Sequence, residues 1–477
     1  MVVGEFVETR DLIIIGGGPG GYTAAIRAAQ LGVQVTIIEK ERLGGVCLNE
    51  GCIPSKVFTH AAKEYASLSN LSSLGISTGE ATFDYGELLN YKDRTIAHLR
   101  QGVEKLCAAN KIEIIYGEAN FTAKDRIGVE VGHQFEVYEF KHAIIATGST
   151  PVAPDFLAKQ NERVVLANAI YNLPEMPKEL IVYGSDSLAL EVAFSYQSLG
   201  ASITLIVDEK EDFLFDESIN RELKRVLKKQ KIKVYSGFQV SDILSSAEDV
   251  TVHLTKKDKT ESVTGTHMFV ATKQRANTKS LGIERFEIEM TEDGFIITDK
   301  QMRTSINTVF AIGDVTSGGS SAAKAIKQGK VAAETIAGLN SEVDLTFLPT
   351  VVHSIPPIAV VGLTEEEAKA AGYKVKVSQF SYSGNGYAMI TNEKNGLTKV
   401  IKDEETDLLL GFHTMGAGAV ELISLGITAL EMVGRDEDLH FPLYPHPSFN
   451  ETILEAMEGL TGKAIHMPPL KKEIAIT

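Results

Sequence analysis

Asp11-Leu-Ile-Ile-Ile-Gly16-Gly-Gly-Pro-Gly-Gly21 is the stretch on which the reading of this chain turns. Its first five residues carry the short apolar pattern of a strand buried on both faces. They run straight into glycines spaced G-x-G-x-x-G. A helical stretch to Leu31, Gly32 and a second strand, Val33–Ile38, ending at Glu39, follow. This is one βαβ unit with an acid 18 residues after the last glycine. Glycines let backbone N–H groups close on a pyrophosphate at the helix N-terminus, and Glu39 can accept both ribose hydroxyls. The competing reading, a glycine-rich turn in an unliganded sheet, leaves that complete context unexplained.

A second unit starts at Leu180-Ile-Val-Tyr-Gly184. Laid over the first without a gap, Gly184 falls on Gly16, Leu199-Gly200 on Leu31-Gly32 and Thr204 on Thr36. The chemistry does not follow: Asp186 falls on Gly18, Ala189 on Gly21 and Val207 on Glu39. The second dinucleotide fold reads as intact and its nucleotide site as eroded.

Further out, 477 residues imply two to four domains. Ala143-Ile-Ile-Ala146-Thr147-Gly148-Ser-Thr-Pro151 is a strand and a turn that leaves the first domain. Val309–Asp314 is a strand ending in Gly-Asp, followed by a helical stretch from Ala322 to Ala337. Beyond Asp344 come short strands (Val375–Phe380, Leu397–Ile401, Leu408–His413) and helices (Glu365–Ala371, Ala419–Met432), a separate α+β domain. The expected division is 1–150, 151–276, 277–345 and 346–477. The fold class is thus α/β, with two Rossmann-like domains and a C-terminal α+β domain.

A net charge of −16 argues against a nucleic-acid surface. No run of 18 apolar residues is present, so no membrane-spanning segment is expected. The residues before the first strand lack the order of a secretory signal. Three cysteines make no disulfide scaffold, and a reducing cytoplasm is expected.

Two of the three lie close together in Gly44-Gly-Val-Cys47-Leu-Asn-Glu-Gly-Cys52-Ile-Pro-Ser-Lys56. No second cysteine pair completes a zinc site, and no metal is expected. Five residues of straight helix rise ~7.5 Å, beyond the ~7 Å reach of a disulfide, so a redox pair needs a bend. Gly51 and Pro54 supply that irregularity at a helix start, where the helix dipole and Lys56 favour a thiolate. Two reduced core cysteines remain the alternative. Cys107, between Leu106 and Ala108, reads as core. Near the C-terminus His446 stands between prolines with Glu451 five residues on, a proton-shuttling histidine with a carboxylate to orient it.

Together these motifs resemble the flavoprotein pyridine nucleotide-disulfide oxidoreductases, in their dihydrolipoamide dehydrogenase branch, over essentially the whole chain. The resemblance implies FAD held by Gly16, Gly18, Gly21, Glu39, Lys56, Ala119, Ala146, Thr147, Gly148, Asp314 and Ala322. It implies that Cys47 exchanges with the dithiol while Cys52 faces the flavin. Glu191 would pair with Lys56, and His446 would act as base, oriented by Glu451, from the partner subunit of a homodimer. By the same resemblance 277–345 returns to the FAD domain and 346–477 is the interface or dimerisation domain. The substrate would be a lipoyl-bearing protein.

The departures gather at the second nucleotide site: the loop Gly184-Ser-Asp-Ser-Leu-Ala-Leu-Glu191, Val207 for an acid, Lys273 for a glycine and Ala276 for a proline. Pro357 stands where a Glu is common, and Ser320-Ser321 replace two larger apolar residues. A carboxylate ~4 Å from a phosphate charge costs about 4 kcal/mol at an effective dielectric of 20, roughly a thousandfold in affinity. NADP is not favoured either, since only Lys210 remains for a 2′-phosphate. The leading expectation is therefore dithiol oxidation through FAD, with NAD bound weakly or not at all and an alternative electron acceptor. A conventional NAD-linked enzyme and a lipoyl-protein sensing or binding subunit without turnover are the alternatives.

Overall fold

The computed structural model describes residues 7–77, 79, 81–157, 162–208 and 212–468. The chain opens with β1 (Glu8–Ile15), α1 (Pro19–Gln30) and β2 (Val35–Glu39), as the first glycine motif requires. Leu12 to Ile14 are fully buried, which is why this strand carries no alternation. Next come α2 (Gly45–Asn49), α3 (Cys52–Ser67), α4 (Tyr85–Ala109), β3 (Glu113–Tyr116), β4 (Glu118–Ala123), β5 (Arg126–Val131) and β6 (Gln134–Ile145). These strands form one sheet in the order β3-β2-β1-β6-β5-β4. β6 pairs antiparallel with β5 over Gln134–Glu139 and parallel with β1 over Tyr138–Ile145.

The second unit follows β7 (Ser149–Pro151) and β8 (Val164–Leu166) with β9 (Glu179–Tyr183), α5 (Ser187–Ser198) and β10 (Ser202–Val207). Its register repeats the first: Leu12 pairs with Val35 and Ile13 with Thr36, as Leu180 does with Ile203 and Ile181 with Thr204. Gly16 N–H donates to Ile38 at 2.8 Å and Gly184 N–H to Ile206 at 3.0 Å. The gap-free overlay therefore holds in three dimensions. Then come α6 (Glu217–Lys229), β11 (Lys233–Ser236), β12 (Gln239–Ser245), β13 (Val250–Lys256), β14 (Lys259–Gly265), β15 (His267–Val270) and β16 (Gln274–Ala276). The parallel sheet runs β11-β10-β9-β15-β8, beside the antiparallel β12-β13-β14.

β17 (Val309–Ala311) returns to pair with β6, completing the first sheet. α7 (Ala322–Ile336) then packs on α1 through small residues: a Cβ on Gly329 would stand 2.6 Å from Gly20 O. The last part holds β18 (Thr350–Val352), β19 (Ile358–Gly362), α8 (Glu365–Ala370), β20 (Val375–Ser381), α9 (Gly386–Ile390), β21 (Leu397–Asp403), β22 (Leu409–Met415), α10 (Ala419–Glu431), α11 (Asp436–His440) and α12 (Glu451–Gly459). Its sheet, β18-β19-β22-β21-β20, is wholly antiparallel and carries α10 and α12, an α+β arrangement. Among the described residues no helix is long and apolar enough to cross a membrane.

Candidate active site

The first nucleotide fold is shaped to receive a dinucleotide. Gly18 stands at the N-cap of α1 with no side chain to close it. A Cβ on Gly21 would come within 1.9 Å of Gly16 O, so the helix can lie this close to the loop only with glycine there. Glu39, at the end of β2, accepts from Gly17 N–H at 2.7 Å and Glu41 N–H at 2.8 Å, which aims the carboxylate at the loop. Ala119 is buried in β4. The Ala146–Gly148 turn is fastened by Asn277, whose side-chain amide donates to Thr147 O at 3.0 Å. Asp314 accepts from Ser321 N–H at 3.3 Å, and Ser321 caps α7, which begins at Ala322. These donors and cradles fit FAD.

The cysteine segment bends where the glycine stands. Cys47 lies in the one-turn α2, Gly51 breaks the run, and Cys52 is the first residue of α3. Both thiols are free and half-buried, while Cys107 is fully buried in the core beneath α1 and α4. The hydrogen bond from Cys47 and the Lys56 charge outweigh burial and bring Cys52 down to about 7. Donation to Cys52, then burial, pushes Cys47 well up. Of the two, Cys52 carries the charge.

Lys56 Nζ reaches both oxygens of Glu191 at 2.9 Å. Glu191 also accepts from the Ser55 hydroxyl and from His353 N–H at 2.9 Å. This carboxylate, on α5, thus joins both nucleotide folds to the C-terminal sheet. Ser55 and His353 were not singled out in the sequence. Ser55 sits one helical turn after Cys52, a spacing that could have shown it. His353 follows a three-residue strand and carries no such signal.

At the far end His446 Nδ1 pairs with Glu451 at 2.8 Å, and Ser448 N–H holds the second carboxylate oxygen at 3.0 Å. Burial raises Glu451, but these two bonds outweigh it and keep the carboxyl below its usual range. The ring is 80 % exposed, and among the described residues no hydrogen bond links it to the thiols of its own chain.

The second nucleotide fold carries a side-chain cap where the first has none. Asp186 is the N-cap of α5 and accepts from Ala189 N–H at 2.8 Å, so its carboxylate lies over the amides a pyrophosphate would use. Val207 is buried at the end of β10, and the neighbouring Asp208 accepts from the Tyr183 hydroxyl at 2.9 Å. Lys273 is exposed. Lys210 lies outside the described residues.

Two family models match this chain: pyridine nucleotide-disulphide oxidoreductase over residues 10–329, and the dimerisation domain of the same family over 348–457. The chain belongs to the pyridine nucleotide-disulphide oxidoreductases. It is 37 % identical to the dihydrolipoyl dehydrogenase of Bacillus subtilis (strain 168), over 98 % of this chain and 100 % of that protein. Against the dihydrolipoyl dehydrogenase of Geobacillus stearothermophilus the identity is also 37 %, over 98 % and 99 %. In fold it matches LpdA from Mycobacterium tuberculosis with a TM-score of 0.87 at 23 % identity, covering 95 % of this chain and 100 % of that one. As a pyridine nucleotide-disulphide oxidoreductase it is an FAD-dependent enzyme, and it carries the family's dimerisation domain.

Proposed function

We propose that the enzyme oxidises a protein-bound dihydrolipoyl group and has a degenerate pyridine-nucleotide site, so that electrons leave chiefly to another carrier. One substrate thiolate attacks Cys47 of the Cys47–Cys52 disulfide, and Cys52 leaves as a thiolate. The second substrate sulfur then displaces Cys47, closing the lipoyl disulfide. His446, held by Glu451, takes the protons released; it acts from the partner subunit of a homodimer. Lys56 stabilises the Cys52 thiolate, and Glu191 holds Lys56 in place. Gly16, Gly18, Gly21, Glu39, Ala119, Ala146, Thr147, Gly148, Asp314 and Ala322 hold FAD, which when bound supplies the two-electron sink. Residues 1–150 and 277–345 make the FAD domain, 151–276 the eroded nucleotide domain and 346–477 the interface; the cytoplasm is the expected compartment.

The observation that carries the nucleotide part is the contrast between two helices of identical register. Gly18 leaves the N-terminus of α1 open, while Asp186 closes that of α5 with its own carboxylate. Relatives named dihydrolipoyl dehydrogenase support the dithiol part. The test is anaerobic reduction of the bound flavin, by dihydrolipoamide and by NADH in parallel. Rapid bleaching by dihydrolipoamide with slow or absent bleaching by NADH is expected. Equal bleaching at micromolar NADH would sink the degenerate site and leave a conventional NAD-linked enzyme.

A further inference from the structure

Past β17 the chain passes Gly313-Asp314 and crosses to α7 through Val315-Thr-Ser-Gly-Gly-Ser320. Ser317 to Ser320 are exposed, and Gly318 and Gly319 are both left-handed, at φ 97° and 77°. Two such glycines give the crossing little shape of its own. Two buried side chains of α7, Lys324 and Gln328, set it instead from one face of the helix, a turn apart. Lys324 Nζ donates to Thr316 O at 3.3 Å and to Ser317 O at 3.1 Å. Gln328 Oε1 accepts from Gly313 N–H at 2.7 Å, and the Thr316 hydroxyl donates to Gly313 O at 2.7 Å. Asp314 lies between these fastened residues and accepts from Ser321 N–H at 3.3 Å.

A lysine is a costly choice for this place. Its side chain is fully buried, and among the described residues no carboxylate bonds to the ammonium. Burial pushes that ammonium below its ordinary range, against the Asp314 charge. An apolar side chain of the same length would avoid the cost of burying a cation without a bonded anion. It could not hold two carbonyls at once, and bonds from a charged donor are stronger than neutral ones.

We propose that Lys324 is a positioning residue for the cofactor: its ammonium ties the crossing to α7, so that Asp314 meets FAD in one geometry. This rests on the reading that Asp314 and Ala322 hold FAD. Both flank the tie, Asp314 two residues before Thr316 and Ala322 two before Lys324. β17 and α7 are fixed separately, by Phe310, Ile312, Val331 and Ala332 in the core beneath α1. Loss of the ammonium therefore falls on the crossing and on FAD, and not on the fold.

The test pairs two measurements on the FAD-loaded protein: flavin release, read as fluorescence after dilution, and amide hydrogen exchange. Wild type, Lys324→Met, Thr316→Val and Asp314→Ala are compared. Lys324→Met should release FAD faster by about tenfold or more, the order expected for two charge-assisted bonds. Its Gly313 and Ser321 amides should lose protection while those of β1 and β6 keep theirs. Thr316→Val keeps the ammonium but removes the hydroxyl bond to Gly313, and should release FAD faster by a smaller factor. Wild-type release from Lys324→Met overturns the proposal, as does protection lost equally in β1 and β6, which would make Lys324 a general packing residue. Should Lys324→Met fail to fold, wild-type release from Thr316→Val overturns it instead. Wild-type release from Asp314→Ala overturns the FAD assignment on which the proposal rests.

Discussion

Cys47 and Cys52 are chemically alike in sequence and pushed opposite ways in the fold. The donor from Cys47 and the Lys56 charge make Cys52 the acidic member, whereas its donation and burial keep Cys47 protonated. Cys47→Ser and Cys52→Ser should each bind FAD yet lose dithiol-driven flavin reduction, while Cys107→Ser, altering only a core position, should be nearly silent. Anaerobic stopped-flow reduction by dihydrolipoamide reads all three; a normal rate in either of the first two would end the disulfide assignment. Because the folded value of Cys52 is depressed to about 7, its thiolate is present above that pH and lost as pH falls through it. Iodoacetamide labelling of Cys52 in the reduced Cys47→Ser protein should not follow that midpoint, since the variant removes its largest support, the Cys47 hydrogen bond. There the midpoint should rise toward that of an ordinary thiol. His446→Ala should slow the dithiol half-reaction by ~10²–10⁴, the range for a positioned acid–base group. An unchanged rate would exclude His446 as the base.

At the scale of elements, α1 and α5 are the same helix with different first turns. Asp186→Ala would strip the cap from α5 and cost ~1 kcal/mol of stability, whereas Asp186→Gly would cost only a few tenths. The two variants separate a structural from an inhibitory role. If the carboxylate blocks the site, Asp186→Gly should bind NADH more tightly than wild type by calorimetric titration, and Asp186→Gly/Val207→Glu more tightly still. Micromolar binding by wild type, unimproved in both, would show that the loop has only drifted. Much of this level was legible in the sequence. The glycine spacing, the apolar strands and the gap-free repeat are local patterns, and they place both βαβ units within a few residues. The strand β17 was legible too, as the apolar run ahead of a Gly-Asp pair. The antiparallel β12–β14 sheet was not, because half-exposed strands such as Gln239–Ser245 carry little apolar signal. Nor was the meeting of Ser55, Glu191 and His353, which three separate elements bring together across long stretches of chain.

For the whole molecule, the C-terminal part displays large apolar side chains where the family has its dimerisation domain. Phe441 is 88 % exposed and Leu443 fully exposed, a few residues before His446. A second copy is the occupant that the matched domain implies. If the partner subunit's His446 serves the disulfide, two dead proteins can repair each other. Cys47→Ser and His446→Ala homodimers are each inactive, but a mixed dimer holds one site with both groups intact. Random subunit exchange makes about half the dimers mixed, so about a quarter of wild-type dithiol activity should return. No recovery, with mixed dimers verified by native mass spectrometry, would place His446 with the cysteines of its own chain. Leu443→Asp should weaken the dimer, checked by sedimentation.

If the nucleotide site is degenerate as proposed, the carboxylate over the first turn of α5 acts as a ligand that can be neither diluted nor washed out. A tethered anion competes at a fixed effective concentration, whatever the supply of free nucleotide. Since Asp186 caps the helix that carries Glu191, which clamps Lys56, the redox centre would hold one geometry in cells rich or poor in NADH. Hydrogen exchange of the α5 amides should accordingly be unmoved by added nucleotide, and protection that rises with NADH would contradict this. The enzyme would then answer to its dithiol partner and its electron acceptor, and not to the nucleotide pool.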